Sequence, residues 1–145
     1  LTGESVLDRV DILQDAGNAI NPALERGQIE GGFAQGQGWL TMEEVIWGKD
    51  GKIKTFSPST YKIPAVTDIP KIFNVEIYKK GMNVEKVVNK AKTTGEPPLM
   101  LAMSVFFAIK DAIASISNYQ KIPDLDAPAT PEKILLSIKK LKNIN

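Results

Sequence analysis

The sequence predicts an α+β chain: mixed strands packed with a long glycine-rich helix, a buried apolar helix and a C-terminal helix. Three observations carry that expectation. Residues 5–15 and 69–79 set β-formers such as Val10, Ile12, Ile72, Val75 and Ile77 among polar neighbours, the pattern of a half-buried strand. From Pro22 to about Val45, the residues Leu24, Ile29, Phe33, Leu40 and Met42 recur at helical spacing. Residues 99–117 carry Leu99, Ala102, Met103, Phe106, Phe107, Ile109, Ile113 and Ile116 around most of a helix circumference, which predicts burial against several elements.

Taken in order, the first strand runs into Asp15-Ala16-Gly17-Asn18, a group of turn formers. Asn21-Pro22 then opens the long helix, with asparagine to cap free amides and proline where a missing N–H costs nothing. That helix contains Gly27, Gly31, Gly32, Gly36 and Gly38. Each costs about 1 kcal/mol against alanine in a helix interior, roughly 5 kcal/mol together, so tertiary contacts must hold the helix. Glycines four apart leave bare stripes where another backbone or a flat ligand can approach, and Gln28, Gln35 and Gln37 stand among them. Close helix packing also accounts for the stripes.

Further on, Lys49-Asp50-Gly51 predicts a hairpin turn between residues 43–47 and 52–56. Glu43 and Glu44 are adjacent, point apart and read as a solvated edge. Two prolines make residues 57–64 irregular, with Tyr61 a packed loop residue in preference to a hydrogen-bonding aromatic at a site. Lys79-Lys80-Gly81-Met82-Asn83 reads as an exposed turn, and residues 85–89 as a short strand. After the apolar helix comes a loop over residues 123–128. Thr130-Pro131-Glu132-Lys133 opens the last helix, whose end carries Lys139, Lys140 and Lys142 in solvent.

Composition excludes several chemistries. Among 145 residues there is no cysteine and no histidine, so the chain offers no thiolate, no imidazole base and no His- or Cys-ligated metal. A net charge of +1 gives no electrostatic reason to expect nucleic acid or an anionic membrane. No run is expected to span a bilayer, and the lack of cysteine fits a reducing compartment. No G-x-G-x-x-G follows a strand, so no dinucleotide fingerprint is present.

One stretch invites catalysis: Lys92-Thr93-Thr94-Gly95-Glu96-Pro97-Pro98. Gly95 permits a turn, and Pro97 directs Glu96 toward an extended conformation. Both prolines suit a first helical turn, so Glu96 is expected at or just before a helix cap, near the helix's positive end. A carboxylate base held in a fixed pose fits this pattern. So does a plain helix start.

Several stretches in chain order resemble the C-terminal part of the molybdenum-binding subunit of the xanthine dehydrogenase/aldehyde oxidase family. They are Asp15-Ala16-Gly17 with Asn21-Pro22, and Gln28-Ile29-Glu30-Gly31-Gly32 with Gln35-Gly36-Gln37-Gly38. Pro58-Ser59-Thr60-Tyr61-Lys62-Ile63-Pro64, Gly95-Glu96-Pro97-Pro98-Leu99, Phe106-Phe107-Ala108-Ile109-Lys110-Asp111-Ala112 and Leu125-Asp126-Ala127-Pro128-Ala129-Thr130-Pro131-Glu132 look like xanthine dehydrogenases in particular. The resemblance implies a molybdenum–molybdopterin cofactor, plain or in the cytosine dinucleotide form. It implies Glu96 as the general base that activates a molybdenum-bound hydroxyl for attack on an electron-poor carbon of a purine or aldehyde. Gln28 matches the glutamine that hydrogen-bonds the molybdopterin. Gly95 and Lys92 join it as expected cofactor contacts, and Lys92 is expected to tune Glu96. The pterin dithiolene holds the metal, so no protein metal ligand is expected.

The same resemblance implies that residues 1–145 form one segment of a larger molybdopterin-binding domain. Its expected partners are the rest of that subunit, iron–sulfur and FAD-carrying segments or subunits, and a small purine or aldehyde substrate. The expected setting is a cytoplasmic oligomer without nucleic acid or membrane. Leu1 and the turn-like Thr2-Gly3-Glu4 point to a chain that continues upstream. The resemblance, in which much of the cofactor site comes from upstream segments, implies little activity or cofactor retention by this chain alone. The alternative is a non-catalytic assembly module that binds a partner subunit.

Overall fold

The computed structural model describes residues 2–143; Leu1, where the sequence points to a continuing chain, and residues 144–145 lie outside them. The element order is β1 (Arg9–Gln14), α1 (Pro22–Thr41), β2 (Ile72–Ile77), α2 (Pro97–Leu101), α3 (Met103–Ser115) and α4 (Pro131–Lys142). Single 3₁₀ turns lie at Val66–Asp68 and Val88–Lys90. The chain is α+β, as its sequence predicts.

β1 and β2 pair in parallel, with Ile12 opposite Val75 and Val10 opposite Phe73. Parallel neighbours need a crossover, and α1 supplies it. Side-chain alternation turns Val10, Ile12, Phe73, Val75 and Ile77 toward the core, where the Phe73 ring lies 5.4 Å from that of Phe33 on α1. On the other face Asp11 accepts hydrogen bonds from Arg9 and from Asn74 Nδ2 at 2.7 Å, which hold its carboxyl down at about 2. β1 starts at Arg9 rather than Ser5; Leu7, still outside the strand, packs against the core.

α1 begins where its caps demand. Asn21 Oδ1 accepts from the Leu24 amide at 3.2 Å, and Glu25 reaches back to the Ile20 amide at 2.8 Å. The helix stops at Thr41, short of the expected Val45, because the Met42 and Glu43 amides both turn back onto the Gly38 carbonyl. The hairpin expected over residues 43–56 is reduced to the Trp47–Ile53 bridge around a turn at Gly51, with φ of +75°. Residues 85–89 are not a strand. Asn89 and Lys90 adopt left-handed φ of 52° and 54°, which ends any extended run there.

The stretch read as one buried apolar helix divides at Ala102, with α2 seated on α1 and α3 continuing past it. Pro98, Ala102, Val105 and Ile113 are buried, but Met100 is 49% exposed, Met103 44% and Phe107 56%. Full burial therefore fails for part of the circumference. α1 and α4 pack against α3, and Met103 and Phe107 stay exposed beside them. By length and composition, Pro97–Ser115 would also suffice to cross a bilayer, which the sequence reading does not anticipate. It packs on α1 along one side, with 22% of that apolar window buried.

Two apolar clusters share Phe106 and Ile109. One joins Ile12, Ile29, Phe33, Leu40, Val75, Ala102 and Val105; the other joins Ile113, Leu125, Ala129, Ile134 and Leu141. The Ala129 amide donates to the Leu40 carbonyl at 2.7 Å and ties the C-terminal segment to α1. α4 has the expected Thr130 cap, and of its terminal lysines Lys140 pairs with Asp124 at 2.6 Å.

Candidate active site

The glycine stripe on α1 is where the α2 segment lands. A Cβ on Gly32 would lie 3.0 Å from the Gly95 carbonyl oxygen and 3.2 Å from Pro98 Cβ. One on Gly36 would overlap the Leu99 carbonyl and come within 2.8 Å of Ala102 Cβ. Both glycines thus exchange helix propensity for backbone contact, which resolves half of the stripe in favour of packing. Gly27 and Gly31 differ: a Cβ on either would meet nothing within 4 Å. That half of the stripe stays open.

Gln28 belongs to the same side of α1, one turn before Gly32. It is exposed, and its Oε1 lies 3.6 Å from the point a Gly95 Cβ would occupy. The fold therefore brings Gln28 and the Gly95-Glu96 turn together from distant parts of the chain. Glu96 is the first residue of the α2 start, and its carbonyl accepts from the Leu99 amide at 3.1 Å. Its backbone is helical, at φ −89° and ψ −43°, not extended as the following proline predicts. Packing of Gly95 and Pro98 on Gly32 outweighs the local preference. The Glu96 side chain is exposed and caps no backbone amide.

Lys92 does not turn toward Glu96. Its ammonium donates to Asp15 Oδ2 at 2.5 Å, while Asp15 Oδ1 accepts from the Gly17 amide at 2.9 Å. The lysine hydrogen bond, and then the Gly17 amide, hold the Asp15 carboxyl below its ordinary range. Asp15-Ala16-Gly17 thereby has a structural task that its turn-forming composition conceals. Gly17 has φ of +65°, and a Cβ there would overlap the Lys90 carbonyl.

A second pair also escapes the sequence reading. The Tyr61 hydroxyl donates to Glu43 Oε2 at 2.6 Å, and the carboxylate pushes the phenol's pKa up. Glu43 is half-buried rather than a solvated edge. No local pattern signals this pair, because the loop between its partners is irregular. Gln37 is buried, donating from Nε2 to the Asp68 carbonyl at 2.7 Å, and so serves the core rather than the open face. Among the described residues, no group of three or more carboxylates gathers as a metal site.

The residues present fit a flat, polar cofactor: an open helix face at Gly27 and Gly31, an exposed amide at Gln28, and a bare backbone turn at Gly95 beside an uncapped carboxylate. The family model of the molybdopterin cofactor-binding domain matches residues 1–70. Xanthine dehydrogenase/oxidase of Mus musculus is 47% identical over 140 residues, covering 92% of this chain and 10% of that protein. Xanthine dehydrogenase of Oryza sativa subsp. japonica is 46% identical over 148 residues, covering 94% and 11%. The crystal structure of quinoline 2-oxidoreductase from Pseudomonas putida 86 superposes with a TM-score of 0.76 at 31% identity, over 91% of this chain and 16% of that one. The chain spans about a tenth of the length of the curated relatives it matches. In sequence and in fold, the chain is similar to a segment of xanthine dehydrogenases, and residues 1–70 are similar to the molybdopterin cofactor-binding domain.

Proposed function

We propose that this chain contributes the general base and one wall of the cofactor site to a xanthine dehydrogenase-like molybdenum hydroxylase. The observation that carries the reading is the meeting of exposed Gln28 with the Gly95-Glu96 turn beside the open face of α1. When bound, the molybdenum–pterin group supplies the redox chemistry that hydroxylates an electron-poor carbon. Glu96 accepts a proton on its carboxylate, which neither a backbone cap nor Lys92 occupies. Gln28 offers an amide donor and acceptor to the pterin. Gly95 leaves the space between them free. Lys92 serves from the backbone side, through its pair with Asp15.

The reading extends to a purine or aldehyde substrate and to a plain or cytosine-dinucleotide pterin. It places residues 1–145 within one molybdopterin-binding domain. The rest of that subunit, the iron–sulfur clusters and FAD are assigned to other segments or subunits of a cytoplasmic oligomer. The isolated chain then lacks turnover. In the assembled enzyme, Glu96→Gln is expected to cut xanthine turnover by about 10²-fold or more with molybdenum and pterin content intact. Near wild-type turnover removes Glu96 from the role. Gln28→Ala is expected to lower pterin content.

A second reading, a non-catalytic assembly module, draws on the exposed Met100, Met103 and Phe107. It predicts full turnover in Glu96→Gln, so the same experiment separates the two.

A further inference from the structure

We propose that Asp15 is a positioning residue for Glu96, acting through Lys92; this rests on the reading of Glu96 as the base. Glu96 sits on a short loop that enters at Lys92 and leaves at Pro97. The exit is held by the seat of Gly95 and Pro98 on Gly32. The entry is held by a clasp built from the Asp15–Asn18 turn.

Several backbone groups at the entry are tied. The Lys92 amide donates to the Ala16 carbonyl at 2.9 Å. The Lys90 carbonyl accepts from the amides of Asn18 and Asn83, both at 3.2 Å. The Ala91 carbonyl accepts from Asn83 Nδ2 at 3.0 Å. Asn18 Nδ2 donates to Asn89 Oδ1 at 3.0 Å, and Asn89 Nδ2 returns to the Asn18 carbonyl at 3.3 Å. These bonds hold Asn89 and Lys90 in left-handed conformations that non-glycine residues adopt at a cost. Strain of this kind persists only where the surroundings over-determine it.

The Asp15–Lys92 ion pair closes the clasp at the residue nearest the base loop. Gly81 makes room for it, since a Cβ there would overlap Asp15 Oδ1. Beyond Lys92 the chain passes exposed Thr93, buried Thr94 and then Gly95, whose backbone is the most permissive in the loop. Without the clasp, the stretch of chain from Lys92 to Thr94 pulls on the Gly95 backbone, and the rotation that Gly95 permits reorients Glu96, the next residue, against the seat of Pro98 on Gly32. The pair itself is partly solvated, with side chains 35% and 40% exposed, so its loss leaves the fold standing. A base displaced by about 1 Å loses rate steeply, of order 10²-fold.

The test uses the assembled enzyme with xanthine as probe. Asp15→Asn and Lys92→Met are each expected to lower kcat about tenfold or more, with KM within about twofold and pterin content unchanged. Lys92→Arg, which keeps the cation, recovers kcat to within about threefold. Hydrogen exchange of the peptide covering residues 90–96 accelerates about tenfold in the first two variants and not in the third. Unaltered exchange, or kcat within twofold of wild type beside faster exchange, overturns the positioning role. So does a kcat loss matched by loss of pterin. A parallel Glu96→Gln variant keeps the causes apart: turnover retained there overturns the base reading, while an inactive Glu96→Gln beside a fully active Asp15→Asn overturns the clasp alone.

Discussion

Gly17 shows what a single position can demand. Its φ of +65° is open to glycine and strained for alanine, and the Lys90 carbonyl occupies the space a Cβ would need. Neither obstacle is removed by a flexible side chain moving aside, because the obstacle is backbone. Gly17→Ala is therefore expected to destabilise by about 2 kcal/mol or more, read as a fall in the denaturant midpoint at unchanged m-value. A change below about 0.5 kcal/mol would mean that the 88–92 arm yields freely, against the density of hydrogen bonds that hold it. At this scale the sequence is legible wherever the chemistry is local. Asn21 and Thr130 cap their helices as their identities require. The Glu96 backbone is not legible in this way: the preference set by Pro97 is real but small, and contacts from a helix far away in sequence decide against it.

α1 is the element on which the rest converges, and its glycines divide by what faces them. Gly32 and Gly36 lie under the α2 backbone, whereas Gly27 and Gly31 face open space. Substitution by alanine should separate the two classes by sign. Gly36→Ala must push Leu99 and Ala102 away and is expected to lower the thermal midpoint by several degrees. Gly27→Ala meets no neighbour and gains helix propensity, about 0.5–1 kcal/mol, which raises the midpoint by a few degrees. Equal effects at the two positions would contradict the division. The stripes themselves are visible in sequence, since glycine spacing on a helix is arithmetic. Which stripe packs and which stays open is not, because it depends on a turn that arrives after Leu99's segment has folded back. The open half is the one beside Gln28, and this keeps the cofactor reading and the packing reading from competing for the same surface.

For the whole molecule, large apolar side chains stay uncovered along the helices and on the sheet. Met100, Leu101, Met103, Phe107 and Ile116 are exposed along α2, α3 and the residue after it, and Leu13 and Ile72 are exposed on the sheet. The sheet has two strands, parallel, and parallel pairs are normally buried on both faces within larger sheets. Each strand also offers one edge with no neighbour among the described residues. The apolar spacing of residues 99–117 is legible in the sequence as a helix that wants company all round; that the company is missing from these residues is not, because periodicity records what a helix buries and not which chain covers it. The open sheet and the bare side of α3 are the two surfaces that a covering protein would bury. Purified alone, the chain is expected to self-associate in proportion to concentration, with average mass by light scattering rising between about 5 and 100 μM. Phe107→Lys, which places charge on the most exposed aromatic of α3, should reduce that rise without lowering the thermal midpoint, because the side chain it replaces is 56% exposed. A wild-type chain that stays monomeric across the range would show that the uncovered face is tolerated in water, and the case for a covering segment would then rest on the sheet edges alone.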